Sequence, residues 1–457
     1  MGLGIAVHFA YFGRPNETVF DEVHFGKFIS GYYTREYYFD IHPPLGKLMI
    51  AGFAKFFDFK PGFAFVDIGN IYPDNQYIIL RFLPNLAGAL LPLVIYLLIL
   101  EMGLSRSAAF FGGLLIVFEN ALLTQSHYIL LDSFLLLFGF LSLLFYFKFR
   151  SYSLSVIHHL LLFGFFSGLA ISIKWTGLGF LALPLFFEFI KIIRKRQFKF
   201  LFGVLLPPLA IAILTYSVFF AVHLAILNKS GPGNSFMTIG FQKTLSGNMY
   251  AENPALPSNI FQKFIELNTE MYKANQRLTT PHSYSSQWYT WPLMTRPIFY
   301  WVKENARIYL IGNPIIWWVS TAAMLWLAIT SLTQNAYFVK ASARQAKRLA
   351  QSATNNLSER LAIGDWRLAF LSVGYIINIL PFIGVKRVMF LYHYLTALIF
   401  AILILAYLID ENKNSRKIFT GIIIAAIATF LFFAPLSYGL PLSPEQYQYR
   451  VWLNSWL

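Results

Sequence analysis

Ten stretches of this chain are long and apolar enough to cross a bilayer, and their repetition constrains the fold more than any other feature. They lie near 77–101, 107–126, 129–149, 157–173, 175–192, 201–227, 313–333, 367–385, 388–409 and 418–436. A spanning helix needs roughly 20 predominantly apolar residues, because lipid offers a backbone no hydrogen-bond partner. Composition agrees. Of 457 residues, 57% are hydrophobic and 12% charged, against about 25% charged in an ordinary soluble domain. That excludes a disordered chain, a coiled coil and a nucleic-acid-binding domain, despite a net charge of +15. There is no cysteine, hence no disulfide framework, thiolate metal site or cysteine nucleophile.

Met1 to Phe12 are apolar but too short to span alone. They lack the basic start and small-residue cleavage site of a signal peptide. They are read as the end of a first helix, truncated at its start. The expectation is an all-α polytopic bundle of about 11 transmembrane helices, with no internal repeat, forming one domain over 1–457.

Lys and Arg collect in cytoplasmic loops. With the N-terminus inside, the segments 102–106, 148–156, 191–200, 334–366 and 410–417 hold roughly half of the 36 basic residues. Two long loops, 14–76 and 228–312, then lie on the outer face, with 334–366 the cytoplasmic loop. Within that loop the stretch 341–351 reads as a solvated basic face. The second outer loop is expected to hold helix near 258–276.

Several charges depart from this pattern. Arg81 opens a span at its outer end, Lys174 sits in a tight outer turn, and Lys386 and Arg387 form another. Asp132 opens a span beside His127. Charges at membrane depth are costly and mark function by default. Cations gathered at one level suit a lipid-borne phosphate.

The first outer loop carries adjacent carboxylates, Asp21 and Glu22, soon after the first apolar segment. Neighbours in a regular element point in different directions. One can be a general base while the other orients it or pairs with a cation. A carboxylate base suits removal of a hydroxyl proton as that oxygen becomes a nucleophile. His42-Pro43-Pro44 stiffens the chain and presents an imidazole. Lys47, Met49, Phe53, Phe56 and Phe57 suggest an amphipathic helix along the interface.

The runs Phe20-Asp21-Glu22-Val23-His24-Phe25-Gly26-Lys27-Phe28 and Tyr38-Phe39-Asp40-Ile41-His42-Pro43-Pro44-Leu45-Gly46-Lys47 resemble the first luminal loop of protein O-mannosyltransferases, glycosyltransferase family 39 of the GT-C fold. Further likenesses follow in order. They are the segment Gln125–Ser133, the turn Lys174-Trp175-Thr176-Gly177, the run Trp288–Pro292, and Phe390-Leu391-Tyr392-His393-Tyr394-Leu395. No soluble insert sits in 228–312, so the chain resembles members without a MIR domain, as in a bacterial or archaeal plasma membrane. His127 stands where many relatives carry arginine.

The resemblance implies inverting transfer of mannose from a polyprenyl-phosphate-mannose donor to Ser or Thr hydroxyls of exported proteins, on the outer face. It assigns Asp21 as base and Glu22 as its companion. Arg81 is the first choice for the leaving phosphate, with Lys386 and Arg387 next and Lys174 a weaker candidate. His42, His393 and Tyr394 are expected at the donor phosphate or sugar, with Asp132 and His127 in support. No cofactor or metal is required, since the leaving group is a monophosphate beside Arg and Lys. The expected partners are the lipid-linked donor, an exported protein acceptor, membrane lipids and, by analogy with dimeric relatives, a second subunit. The alternative is a GT-C transferase acting on a lipid or glycan acceptor with the same donor chemistry.

Overall fold

A computed structural model describes residues 1–151, 157–340 and 365–456. Most of the expected cytoplasmic loop 334–366, including the basic stretch 341–351, lies outside the described residues. The chain opens with α1 (Gly2–Phe9), then α2 (Glu22–Thr34) and α3 (Leu45–Ala54) in the first long loop. The apolar helices follow: α4 (Gln76–Glu101), α5 (Arg106–Val117), α6 (Asn120–His127), α7 (Asp132–Ser151), α8 (Ile157–Ile173), α9 (Leu178–Arg194) and α10 (Leu201–Ile226). Beyond the second long loop, which holds α11 (Ile260–Arg277), come α12 (Pro314–Lys340), α13 (Trp366–Ile377), α14 (Leu395–Asp410) and α15 (Ser415–Tyr438).

Among the described residues eight helices are long and apolar enough to cross a membrane, and α5 with α6 makes a ninth. The helix α8 has 17 residues and α1 has 8. By length and composition the structure therefore supports nine of the eleven expected spans. The helix α14 is apolar around its whole circumference and buried along nearly its whole length, as a central helix should be. The helices α10 and α15 instead turn Ile213, Leu214, Ile424 and Leu431 outward, where lipid would cover them.

The stretch expected as one span over 107–126 is broken, and α5 and α6 meet at a bend of 54°. Glu119 explains how the break is held. One of its oxygens caps α6 by accepting from the Leu122 amide at 2.8 Å. The other accepts from the Asn313 amide at 2.6 Å and the Trp317 indole at 2.7 Å. Asn313 in turn donates to the carbonyls of Phe118 and Ala426. Backbone groups freed by the bend thus find partners inside the protein.

The long loops form a layer over one end of the bundle. Isolated backbone bridges join Glu17 to Ile71, Glu36 to Lys229, and Lys229 to Ser246. The all-α expectation misses one element here, an antiparallel hairpin of β1 (Ile298–Lys303) and β2 (Ala306–Leu310). Residues 441–456 fasten that hairpin. Ala306 bridges Pro441, the Leu442 amide donates to Asn305 at 3.0 Å, and the Trp456 indole donates to the Met294 carbonyl at 2.8 Å. In the first loop α3 is half as expected. Phe56 and Phe57 are exposed, but Lys47 is fully buried.

Glu119→Leu leaves three buried donors without an acceptor and should lower the unfolding free energy by about 3 kcal/mol. Glu119→Gln keeps one acceptor oxygen and should lose less. Thermal unfolding in detergent reads both, and an unchanged melting temperature for Glu119→Leu contradicts this account of the bend.

Candidate active site

Asp21 and Glu22 diverge at the start of α2. Glu22 is fully buried and forms a two-point ion pair with Arg81, Nε to Oε1 and Nη2 to Oε2, both at 2.7 Å. It also accepts from the amides of Val19 and Ile129 and from the Tyr72 hydroxyl. Arg81 spends its remaining N–H groups on the carbonyls of Pro15, Gly13 and Glu17, and lies over the Tyr77 and Tyr128 rings. All five guanidinium donors are used, and the residue is fully buried. Arg81, expected at the leaving phosphate, has no donor left for one. Its place is structural, and Glu22 shares it.

Asp21 has the opposite environment. Its carboxylate accepts no hydrogen bond among the described residues, not even as the cap of α2. Burial pushes its pKa up to about 6, with Asp132 and Asp40 adding to the rise and His24 and Lys174 opposing it. The residue before it, Phe20, has φ of +47°. A non-glycine residue in that region carries strain of order 1–3 kcal/mol and persists only where its surroundings hold it. The holding contact is the Tyr300 ring on β1, stacked on Phe20 at 4.0 Å and 6°.

Beside Asp21 a cavity of about 500 Å³ opens among α7, α9, α11, α13 and α14. Its polar end carries His42, Asp132, Lys174, Arg387, Tyr392 and His393, and its apolar trough includes Leu135, Leu178, Ala182, Ile377, Phe382 and Val385. The Lys174 ammonium bridges both Asp132 oxygens at 2.8 and 2.9 Å. Arg387 donates to Asn275 of α11 and makes no ion pair among the described residues. Burial, then the charges of Lys174, Lys47, Arg387 and His393, hold the His42 pKa well below the usual imidazole value. His42 is therefore a neutral hydrogen-bonding ring at pH 7. The His393 ring is stacked on Trp291 at 5.8 Å and fixed through Nδ1 to Phe390.

Three expected residues stand elsewhere. Lys386 is exposed and lines no part of the cavity, because the turn points its neighbour Arg387 inward instead. Tyr394 is fully buried against Trp317 and the Tyr375 hydroxyl, inside the helix packing. His127 is buried among His8, Phe12 and Tyr438, away from the cavity.

Sequence reading also missed residues. Lys47 uses its ammonium on Asp40 and on the carbonyls of His42 and Pro43 at 2.9 and 3.1 Å, pinning the backbone that presents His42. Burial lowers the Lys47 pKa against the opposing pull of Asp40. Its spacing of five from His42 was the available signal. Gly26 was passed over, yet a side chain there would strike the Phe65 ring. Gln125 donates to Asp132 from within the segment Gln125–Ser133, and Tyr300 donates to Gln125 from a distant hairpin that no local pattern announces. Among the described residues no three His, Cys, Asp or Glu side chains are grouped to hold a metal.

The arrangement offers an available carboxylate close to Lys174, a second cation, Arg387, lining the same cavity, and an apolar trough. Residues 1–228 match the family described as dolichyl-phosphate-mannose-protein mannosyltransferase, and residues 260–456 the C-terminal four TMM region of protein-O-mannosyltransferase. Dolichyl-phosphate-mannose–protein mannosyltransferase 4 of Candida albicans is 35% identical over 260 residues, which is 53% of this chain and 34% of that protein. Dolichyl-phosphate-mannose–protein mannosyltransferase 1 of Saccharomyces cerevisiae is 22% identical over an alignment covering 97% of this chain and 80% of that one. Protein O-mannosyltransferase 1 of Drosophila melanogaster is 35% identical, over 54% of this chain and 29% of that protein. The match thus spans about a third of the length of the Candida and Drosophila relatives. Among solved structures, the S. cerevisiae protein O-mannosyltransferase complex bound to the sugar donor superposes with a TM-score of 0.90 at 21% identity, covering 100% of this chain and 91% of that one. An oligosaccharyltransferase from Archaeoglobus fulgidus superposes at 0.51 and 14% identity, covering 98% and 56%. These likenesses give the fold, a GT-C bundle.

Arg81→Met strands Glu22 as a buried unpaired carboxylate and should cost about 3–5 kcal/mol of stability. Adding Glu22→Leu should restore part of the melting temperature. A phosphate-binding role for Arg81 predicts the reverse: unchanged melting and weaker binding of the lipid phosphate.

Proposed function

The chain belongs to the protein O-mannosyltransferase family, and on that premise we propose that it transfers mannose from a polyprenyl-phosphate-mannose donor to Ser or Thr hydroxyls of exported proteins. The observation that carries this reading is an Asp21 carboxylate that accepts no hydrogen bond among the described residues and lies close to Lys174, at the polar end of an apolar trough that Arg387 also lines. The trough takes the isoprenoid, the cations take the phosphate, and the carboxylate meets the acceptor.

In the reaction the acceptor hydroxyl gives its proton to Asp21. Its oxygen forms a bond to the anomeric carbon as the bond from that carbon to the phosphate oxygen breaks. The electron pair leaves with the phosphate, and the configuration inverts. Positioned base catalysis of this kind contributes about 10²–10⁴-fold. Lys174 and Arg387 stabilise the charge gathered on the leaving phosphate. Neutral His42 and the His393 ring donate or accept hydrogen bonds at the phosphate or sugar. Asp132 keeps Lys174 in place, and Glu22 with Arg81 positions the segment carrying Asp21.

The cavity and both long loops share one face, which this reading sets outside a plasma membrane with the N-terminus in the cytoplasm. The similar S. cerevisiae structure is a complex, and a second subunit belongs to the same reading.

Membranes carrying the chain, a radiolabelled polyprenyl-phosphate-mannose and a Ser/Thr-rich peptide test it directly. Label should reach the peptide, and Asp21→Asn should lower the rate by about 10²–10⁴-fold. The rate should fall as pH drops below about 6, where Asp21 is protonated and cannot accept. Full transfer by Asp21→Asn removes Asp21 as base, and label found only on lipid or glycan overturns the acceptor. Arg387→Gln should weaken donor binding about tenfold through loss of a charge-assisted contact.

A further inference from the structure

Beside Asp21 six side chains from five separate parts of the chain form a closed ring. Phe20 comes from the first long loop and Tyr300 from the hairpin in the second. Gln125 is on α6 and Asp132 opens α7. Lys174 lies in the turn between α8 and α9, and Tyr392 precedes α14. Phe20 stacks on Tyr300 at 4.0 Å, and its amide donates to the Tyr300 carbonyl at 3.3 Å. The Tyr300 hydroxyl donates to Gln125 Oε1 at 2.5 Å. Gln125 Nε2 donates to Asp132 at 2.6 Å, and Asp132 holds Lys174. The Lys174 ammonium lies 5.1 Å from the Tyr392 ring centre, and Tyr392 meets Phe20 edge-on at 6.5 Å.

The hydrogen bonds in this ring can run in one direction only. An ionised Asp132 only accepts, so Gln125 must turn its amide nitrogen to it and its oxygen to Tyr300. The tyrosine must then donate. Burial and the nearby carboxylates of Asp21 and Asp132 hold its pKa well above the usual value, so the hydroxyl keeps its proton. The ring of Tyr300 thus acts on the residue before the free carboxylate, while its hydroxyl acts on the carboxylate that holds the cation.

We propose that Tyr300 is a positioning residue that fixes the distance between Asp21 and Lys174, its aromatic face setting the carboxylate and its hydroxyl setting the ammonium. The proposal rests on the transferase reading above. One residue of the second long loop thereby sets the relation between the group that takes the proton and the group that receives the phosphate. Tyr300 touches neither the cavity nor a substrate, so its effect passes through Phe20 and Gln125.

The two ends separate by substitution. Tyr300→Phe keeps the stack and breaks the hydrogen-bond chain. In the full chain it should raise donor KM by about five- to tenfold, leave kcat within about twofold, and leave the acid limb of kcat in place. Tyr300→Leu loses both ends. It should also lower kcat by about tenfold or more and move the acid limb, because Phe20 no longer holds Asp21. Gln125→Leu should reproduce Tyr300→Phe, and the double variant should show no further loss, since both break one chain. The proposal is overturned by an unchanged KM in Tyr300→Phe, by equal effects of Phe and Leu on kcat and acid limb, or by additive losses in the double variant. A fall of kcat matching only the loss of folded protein, judged by thermal unfolding, overturns it as well. Donor-induced thermal stabilisation, read on the same variants, separates the two levels. An unaltered chain that is stabilised by donor but transfers nothing to peptide defeats the acceptor reading. A Tyr300→Phe variant stabilised as strongly as the unaltered chain defeats the positioning role.

Discussion

The ion pair between Glu22 and Arg81 is the contact on which the rest of the site depends. A lone carboxylate or guanidinium in this position would be prohibitively desolvated. Together they are tolerated because every remaining lone pair and proton has a partner. Arg81 belongs to α4, yet three of its contacts are carbonyls of residues 13–17, and Glu22 reaches across to the amide of Ile129. One pair therefore fixes the first long loop to α4 and to the turn before α7. The covalent neighbour of Glu22 is then presented at a defined place, its carboxylate accepting no hydrogen bond among the described residues.

That division separates two uses of charge. Arg81, Glu22, Glu119 and Lys47 are saturated and hold backbone in irregular paths. Asp21 and Arg387 keep capacity in reserve. Lys174 stands between, paired with Asp132 but lining the cavity. The four saturated groups are fully buried, whereas Asp21, Lys174 and Arg387 are partly exposed. Counting donors against acceptors draws the same line.

The spans were legible because a bilayer demands a run of apolar residues, and periodic hydropathy is the most local signal a chain carries. Motifs brought forward Asp21, His42, Lys174, Arg387 and His393, and the structure gathers them at or near one cavity. Arg81 was misread because its number of partners depends on carbonyls from residues 13–17, which hydropathy does not describe. Tyr394 was misread because one residue of helical rotation separates a ring in the cavity from a ring in the core. Lys386 and Arg387 show the same limit within a turn. The break at Glu119 and the hairpin at 298–310 were invisible for a related reason. Each is held by contacts to distant segments, Asn313 in one case and residues 441–456 in the other.

The fastening of the hairpin by residues 441–456 has a consequence in time. A ribosome makes the first long loop early, and α4 can pair Arg81 with Glu22 long before synthesis is done. The hairpin and its Tyr300 are made later still, and the segment that clasps them comes after α15 has been threaded into the membrane. A nascent chain would thus carry its carboxylate and its cations while their mutual register was still open. The site would mature only after the segment beyond α15 had been made, when the bundle around it had already assembled.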